Sequence, residues 1–174
     1  MEFLHVDRWK KIYEGQTLDL IKYNDIMPEY LQYHANNLFP DGVSNWGEIN
    51  LLRNLPFCED KSHSKDYVLA IELIFEYVRR AFFPDKTSRY QSFFGFINYE
   101  DVKNYGHEFD RHRDIWIVET DNYFIDDGSW LCFGTSLYVS YCAHQYWSGA
   151  MSDKHKREVL MSTPIRVIRR YNQK

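Results

Sequence analysis

The sequence predicts an α+β fold, helix-rich in its first half and strand-rich in its second. Two observations carry this. Between residues 64 and 82, Val68, Ile71, Ile74 or Phe75, Val78 and Phe82 recur at helical spacing up to Pro84. Near the end, two apolar segments, 157–161 and 165–171, flank the turn Ser162-Thr163-Pro164 and read as paired strands.

The other elements follow in order. Residues 2–6 form a short apolar segment able to pair as a strand. Leu18, Leu20 and Lys22 alternate with the other face over 17–23, the period of a strand. Pro28 suits the first turn of a helix reaching Leu38, before Phe39-Pro40-Asp41-Gly42 turns the chain. Ser44 and Gly47-Glu48 mark a helix entry, with a short helix over 48–54 closed by Pro56 and a polar loop over 59–64. Ser64 or Asp66 can cap the long helix, and Glu76 and Arg80 are expected four apart on its outer face. Residues 90–97 read as a buried aromatic strand, Asn98 as the cap of a helix over 99–109, and 115–119 as a strand. Asp126-Asp127-Gly128 reads as a turn. Thr135 or Ser136 can cap a helix bearing Leu137, Tyr141, His144 and Trp147, which Gly149 ends.

At 174 residues the chain is expected to be one domain, 1–174, large enough to bury a core without disulfides. Aromatic residues make up 18%, which suits either a stacking site or a core of large flat side chains. A net charge of −4 argues against charge-driven binding to nucleic acid, although Arg166, Arg169, Arg170 and Lys174 allow a local basic patch. Cys58, Cys132 and Cys142 show no paired spacing and predict reduced thiols. With no signal peptide and no apolar run long enough to span a bilayer, a cytoplasmic protein is expected.

Glu158 is the single acid in REVLMSTPIRVIRR and opens an apolar strand. Pattern alone fits a solvent-facing strand residue, or a carboxylate held on a rigid strand edge facing a cleft. HEFDRHRD offers His107, Asp110, His112 and Asp114 as ligand types, but their spacing matches no established metal pattern, so a charged surface loop and no metal are expected. Phosphate loops, nucleophile elbows and HExxH helices are absent from the sequence.

Several segments together resemble the ADP-ribosyltransferase-like superfamily. FLHV followed by Glu14-Gly15 is similar to the first strand of its histidine-bearing branch, and EVL with the Pro-containing turn resembles its closing strands. FEYVRRAFFPDKTSRYQSFFGF and AHQYWSG resemble an uncharacterised bacterial and phage family grouped with that fold. The resemblance spans nearly the whole chain and implies split β-sheets with a groove for NAD.

It further implies that Glu158 is the catalytic carboxylate, stabilising the oxocarbenium-like ribose as nicotinamide leaves. Ser92 would orient Glu158, and Ser88 would lie beside the glutamate as a cofactor-binding residue, or cap a turn. His5 would hold the adenosine-side ribose or a phosphate, and is otherwise a strand histidine bonded to a carbonyl. Arg89 would pair with the pyrophosphate, or with Asp85 or Glu76 in a structural ion pair. Tyr146 would wall the nicotinamide, while Trp147 anchors the core. Members that modify arginine carry Gln or Glu two residues before the glutamate. Lys156 stands there, which argues against arginine as acceptor. The implied activity is transfer of ADP-ribose from NAD to a protein or nucleic acid. The competing expectation is a phage or bacterial interaction protein that docks on a host protein without chemistry.

Overall fold

The computed structural model describes residues 1–52, 64–105 and 113–172. Among the described residues, seven strands form two antiparallel sheets. The strands are β1 (Glu2–Asp7), β2 (Thr17–Leu18), β3 (Phe93–Gly95), β4 (Asp114–Glu119), β5 (Tyr123–Asp127), β6 (Arg157–Met161) and β7 (Ile165–Arg170). The larger sheet has the order β1-β4-β7-β2, and the smaller has β3-β6-β5. The mixed α+β class stands; the larger sheet draws strands from both halves of the chain, and the smaller one from the second half alone.

The sheets meet at one bridge. Leu4 and Phe96 exchange both backbone hydrogen bonds, at 2.9 and 2.8 Å. Phe3, Val118 and Val167 from one sheet meet Phe93, Val159 and Met161 from the other to form the core between them. The other face of the smaller sheet is covered by two helices, α3 (Ser64–Phe82) and α5 (Ser136–Ser148), with Phe75, Tyr146, Trp147 and Leu160 at the centre. Trp147 is fully buried and donates its indole N–H to the Phe75 carbonyl at 2.8 Å, so this large anchor leaves no polar atom unpaired.

The caps of α5 form as expected. Thr135 Oγ1 accepts from the Tyr138 amide at 3.4 Å, and Gly149 closes the helix at φ +76°, a left-handed conformation costly for any residue with a Cβ. Ser44 caps the short helix α2 (Asn45–Gly47), which continues as a π-helical turn over Glu48–Leu52, and Asn98 caps α4 (Tyr99–Asn104). Pro28 precedes α1 (Glu29–Leu38), which buries none of its residues.

Several expectations need correction. The segment 17–23 keeps only Thr17–Leu18 as a strand, because Ile21 bridges to Val43 outside the sheet. Of 90–97, only Phe93–Gly95 is a strand, and Arg89–Gln91 coils into a 3₁₀ turn capped by Ser88. Asp126 and Asp127 lie inside β5, and the turn starts only at Gly128. Glu76 is buried on the inward face of α3 rather than outside. Burial opposes its charge, but hydrogen bonds from Arg79, Ser88 and Arg80 outweigh that and lower its pKa. Cys132 and Cys142 are free thiols with Sγ atoms 2.9 Å apart. The loop over 59–63, Cys58, the caps at Ser64 and Asp66, and His107, Asp110 and His112 lie outside the described residues or side chains.

Candidate functional site

A cavity of about 360 Å³ opens among β1, β3, β6 and α3, a size suited to a small ligand or part of a larger one. His5, Trp46, Glu72, Arg89, Tyr105 and Glu158 line it. Strand alternation explains why Glu158 reaches it. Along β6, Val159 and Met161 face the core between the sheets, while Leu160 faces the helices; Glu158, two residues from Leu160, shares that helix-facing side at the open end.

Glu158 is 2% exposed, and its carboxylate is held from three directions. Oε1 accepts from the Arg89 guanidinium and from the Tyr146 hydroxyl, the latter at 2.5 Å. Oε2 accepts from the Tyr105 hydroxyl. A carboxylate offers about four lone-pair directions, so among the described residues one acceptor position on Oε2 remains. Tyr105 owes its position to Gly128, where an added Cβ would stand 2.6 Å from the tyrosine oxygen.

Arg89 is the hub of this arrangement. Its Nε and Nη2 clasp Glu72 at 2.9–3.1 Å, and its Nη1 serves both Tyr146 and Glu158. Burial alone would favour loss of its proton, but the adjacent Glu158 and Glu72 charges raise its pKa well above the ordinary value. The guanidinium therefore stays charged between two buried carboxylates. Burial, reinforced by the Glu158 charge, also raises Tyr105, so it remains a donor. Tyr146 is raised in the same direction, by burial first, against the opposing pull of Arg89.

His5 lines the cavity from β1, and its Nδ1 lies 2.7 Å from the Phe94 carbonyl. A carbonyl only accepts, so Nδ1 carries the hydrogen. Burial lowers the ring's pKa despite that bond and nearby Asp7. The neutral ring therefore presents Nε2 as an acceptor, suited to a hydroxyl and unsuited to a phosphate. Trp46 meets Phe94 edge-on, and its buried indole N–H has no partner among the described residues. Arg8, Lys11 and Lys156 supply the cations around the cavity.

The structure brings His5, Arg89, Ser92 and Glu158 to one cavity and sets Ser88 and Tyr146 behind its wall. Ser92 donates to the Ser88 carbonyl at 2.8 Å and does not bond Glu158; Arg89, Tyr105 and Tyr146 orient that carboxylate instead. Ser88 caps the 3₁₀ turn and donates to Glu76 at 2.7 Å. Arg89 pairs with neither Asp85 nor Glu76, and its charge is already matched by Glu72 and Glu158. The ring of Tyr146 packs against Phe75 and Trp147 instead of facing the cavity.

Sequence reasoning missed Glu72, Tyr105, Trp46 and Asp126. Glu72 carried a usable signal, since Glu72 and Glu76 sit four apart beside Ile71 and Phe75, two acids on the stripe that ought to be apolar. Among the described residues, no group of three or more His, Cys, Asp or Glu is arranged to hold a metal ion.

A two-sheet α+β protein with a buried, donor-clamped carboxylate lining a cavity to which both sheets contribute is the class that fold and cavity define. The chain belongs to the family described as Protein of unknown function (DUF2441), whose model matches residues 3–173. No curated protein matches it significantly.

Proposed function

We propose that this chain is an NAD-consuming ADP-ribosyltransferase with an ADP-ribosyltransferase-like split-sheet fold. The observation that carries the reading is a single cavity joining the first-strand His5 to a buried, oriented Glu158. NAD is the substrate. The bond between ribose C1′ and the nicotinamide nitrogen breaks, and its electron pair leaves with nicotinamide, whose ring becomes neutral. The ribose is left as an oxocarbenium-like cation, and the lone pair of an acceptor on protein or nucleic acid closes on C1′ and releases a proton.

Each residue has a task in that sequence. The charge of Glu158 lies beside the developing cation, and the open position on Oε2 accepts a ribose hydroxyl. Arg89, Tyr105 and Tyr146 fix the carboxylate so that no reorientation is needed during the reaction. Neutral His5 accepts from the second ribose through Nε2. Trp46 N–H supplies a donor for the carboxamide or a phosphate oxygen, and Arg8 and Lys11 provide charge for the pyrophosphate in place of Arg89. Lys156 borders the cavity, so a cationic acceptor such as arginine meets like charge there.

Among the described residues, no helix is long and apolar enough to cross a membrane. The setting proposed is the cytoplasm, with the protein acting as a bacterial or phage effector.

The test compares nicotinamide release and calorimetric NAD binding in the wild type and Glu158→Gln. Release should fall at least ~100-fold, the usual scale for losing an electrostatic stabiliser, while binding changes only a few-fold. Undiminished turnover in the variant removes Glu158 from the mechanism. If the wild type neither releases nicotinamide nor labels protein or nucleic acid from tagged NAD in lysate, the non-catalytic docking reading takes over.

A further inference from the structure

Asp126 is fully buried, and neither of its carboxyl oxygens has a hydrogen-bond partner among the described residues. The strand register sets it directly opposite Glu158, Asp126 on β5 and Glu158 on β6. Directly opposed residues on antiparallel strands have Cβ atoms about 5 Å apart on the same face of the sheet. Two carboxyl groups are therefore neighbours, and only one of them has been given donors.

Charge balance decides the form of the second. Glu72 and Glu158 already share the single guanidinium of Arg89. A third carboxylate in the same enclosed space would have no cation of its own. Lys86 also pulls on it, with its Nζ 4.4 Å above the ring of Phe124. The other groups facing Asp126 are Glu158 across the strands, Tyr146 from α5, Arg89 from the 3₁₀ turn and its neighbour Asp127. Asp127 spends its carboxylate on the amides of Ser129, Ser152 and Lys156.

We infer that Asp126 is a positioning residue that serves Glu158 only as a neutral acid, and that ionising it draws Arg89 and Tyr146 away from Glu158. The assignment rests on the reading of Glu158 as the working carboxylate. Burial and the Glu158 charge raise Asp126 to about 8, against the opposing pull of Lys86 and Arg89. The proton is thus held at neutral pH and released just above it. Loss of that proton places two ionised carboxylates side by side. The clamp then divides its donors between them, and the site loosens as the solution becomes alkaline.

The experiment follows the side-chain carboxyl carbons of ¹³C-labelled full-length protein by NMR as pH rises, with Asp126→Asn assigning the Asp126 signal. The expected result is an Asp126 titration near pH 8 that the Glu158 signal tracks, a movement that Asp126→Asn abolishes. Glu158→Gln, which removes the neighbouring charge, should lower the Asp126 midpoint by at least one pH unit. NAD binding by the wild type should weaken through the same pH range, and Asp126→Asn should hold its affinity there. An Asp126 signal titrating in the ordinary carboxylate range overturns the proposal. So does a Glu158 signal that moves unchanged in Asp126→Asn, or an Asp126 midpoint indifferent to Glu158→Gln. The carboxyl titration needs no NAD, so a protein that binds none defeats the transferase reading while the resonances still decide the role of Asp126.

Discussion

The two sheets handle charge in opposite ways at β7 and β6. On the larger one, β7 alternates buried Ile165 and Val167 with exposed Arg166, and its ion pairs, Arg166–Glu119 and Arg170–Asp114, lie at the solvent edge. On the smaller one, β6 is buried at every position from Glu158 to Met161, because one face meets the other sheet and the opposite face meets α3 and α5. A strand with one wet face, as β7 has, can keep its charges in water. A sheet covered on both faces must supply donors or protons for any acid it carries, and this one carries Glu158, Asp126 and Asp127. Enclosure on both sides is what turns ordinary residue types into a site.

The contrast is open to attack by mutation, starting where the effect is largest. Arg89→Met leaves Glu72 and Glu158 buried without their cation. A loss of about 3–5 kcal/mol is expected in urea unfolding. A loss below about 1 kcal/mol would mean that an unpaired acid costs the smaller sheet no more than an exposed pair costs the larger one.

Asp126→Asn works in the opposite direction. An acid whose folded pKa is raised contributes stability that is fully present below the unfolded value near 4. That contribution is lost as pH rises toward the folded value of about 8. The amide has no such loss, so the variant should match the wild type near pH 4 and melt several degrees higher at pH 8. Equal melting temperatures at both pH values would show Asp126 ionised in the folded protein.

Gly128→Ala should displace Tyr105 from Glu158, costing about 1–3 kcal/mol by crowding and weakening NAD binding. Melting and calorimetry read the two effects separately. The smallest effect belongs to the larger sheet. Arg166→Ala, which breaks an exposed pair with Glu119, should cost less than about 1 kcal/mol, and less still in high salt.

What the sequence disclosed divides along similar lines. Local chemistry was legible. Thr135 and Gly149 bound α5, Asn98 opens α4, and the Ser162-Thr163-Pro164 turn separates β6 from β7, because caps and turns depend on a few adjacent residues. Glu158 stood out as a lone acid in an apolar run. The rest depended on distant partners. Asp126 and Asp127 beside Gly128 carry the composition of a turn, and only pairing with β6 draws them into a strand. Arg89 has two acids nearby in sequence, Asp85 and Glu76, yet it bonds Glu72 and Glu158, since the 3₁₀ turn aims it inward between α3 and β6. Tyr105 meets Glu158 across 53 positions, a separation no local pattern encodes.

Asp127 has a consequence for how this protein can be altered. Burial would raise its pKa, but the amides of Ser152 and Lys156 and the bonds from Ser129 hold it at about 2, and the Gly128 amide returns a bond to the Lys156 carbonyl. These contacts pin the middle and the far end of the connection over 149–156, a surface segment of the kind that ordinarily accepts insertions. Adding or deleting one residue there would advance β6 by half its side-chain repeat, carrying Val159 into the clamp and Glu158 into the oily layer between the sheets. The span of that connection is therefore as tightly specified as the glutamate it delivers.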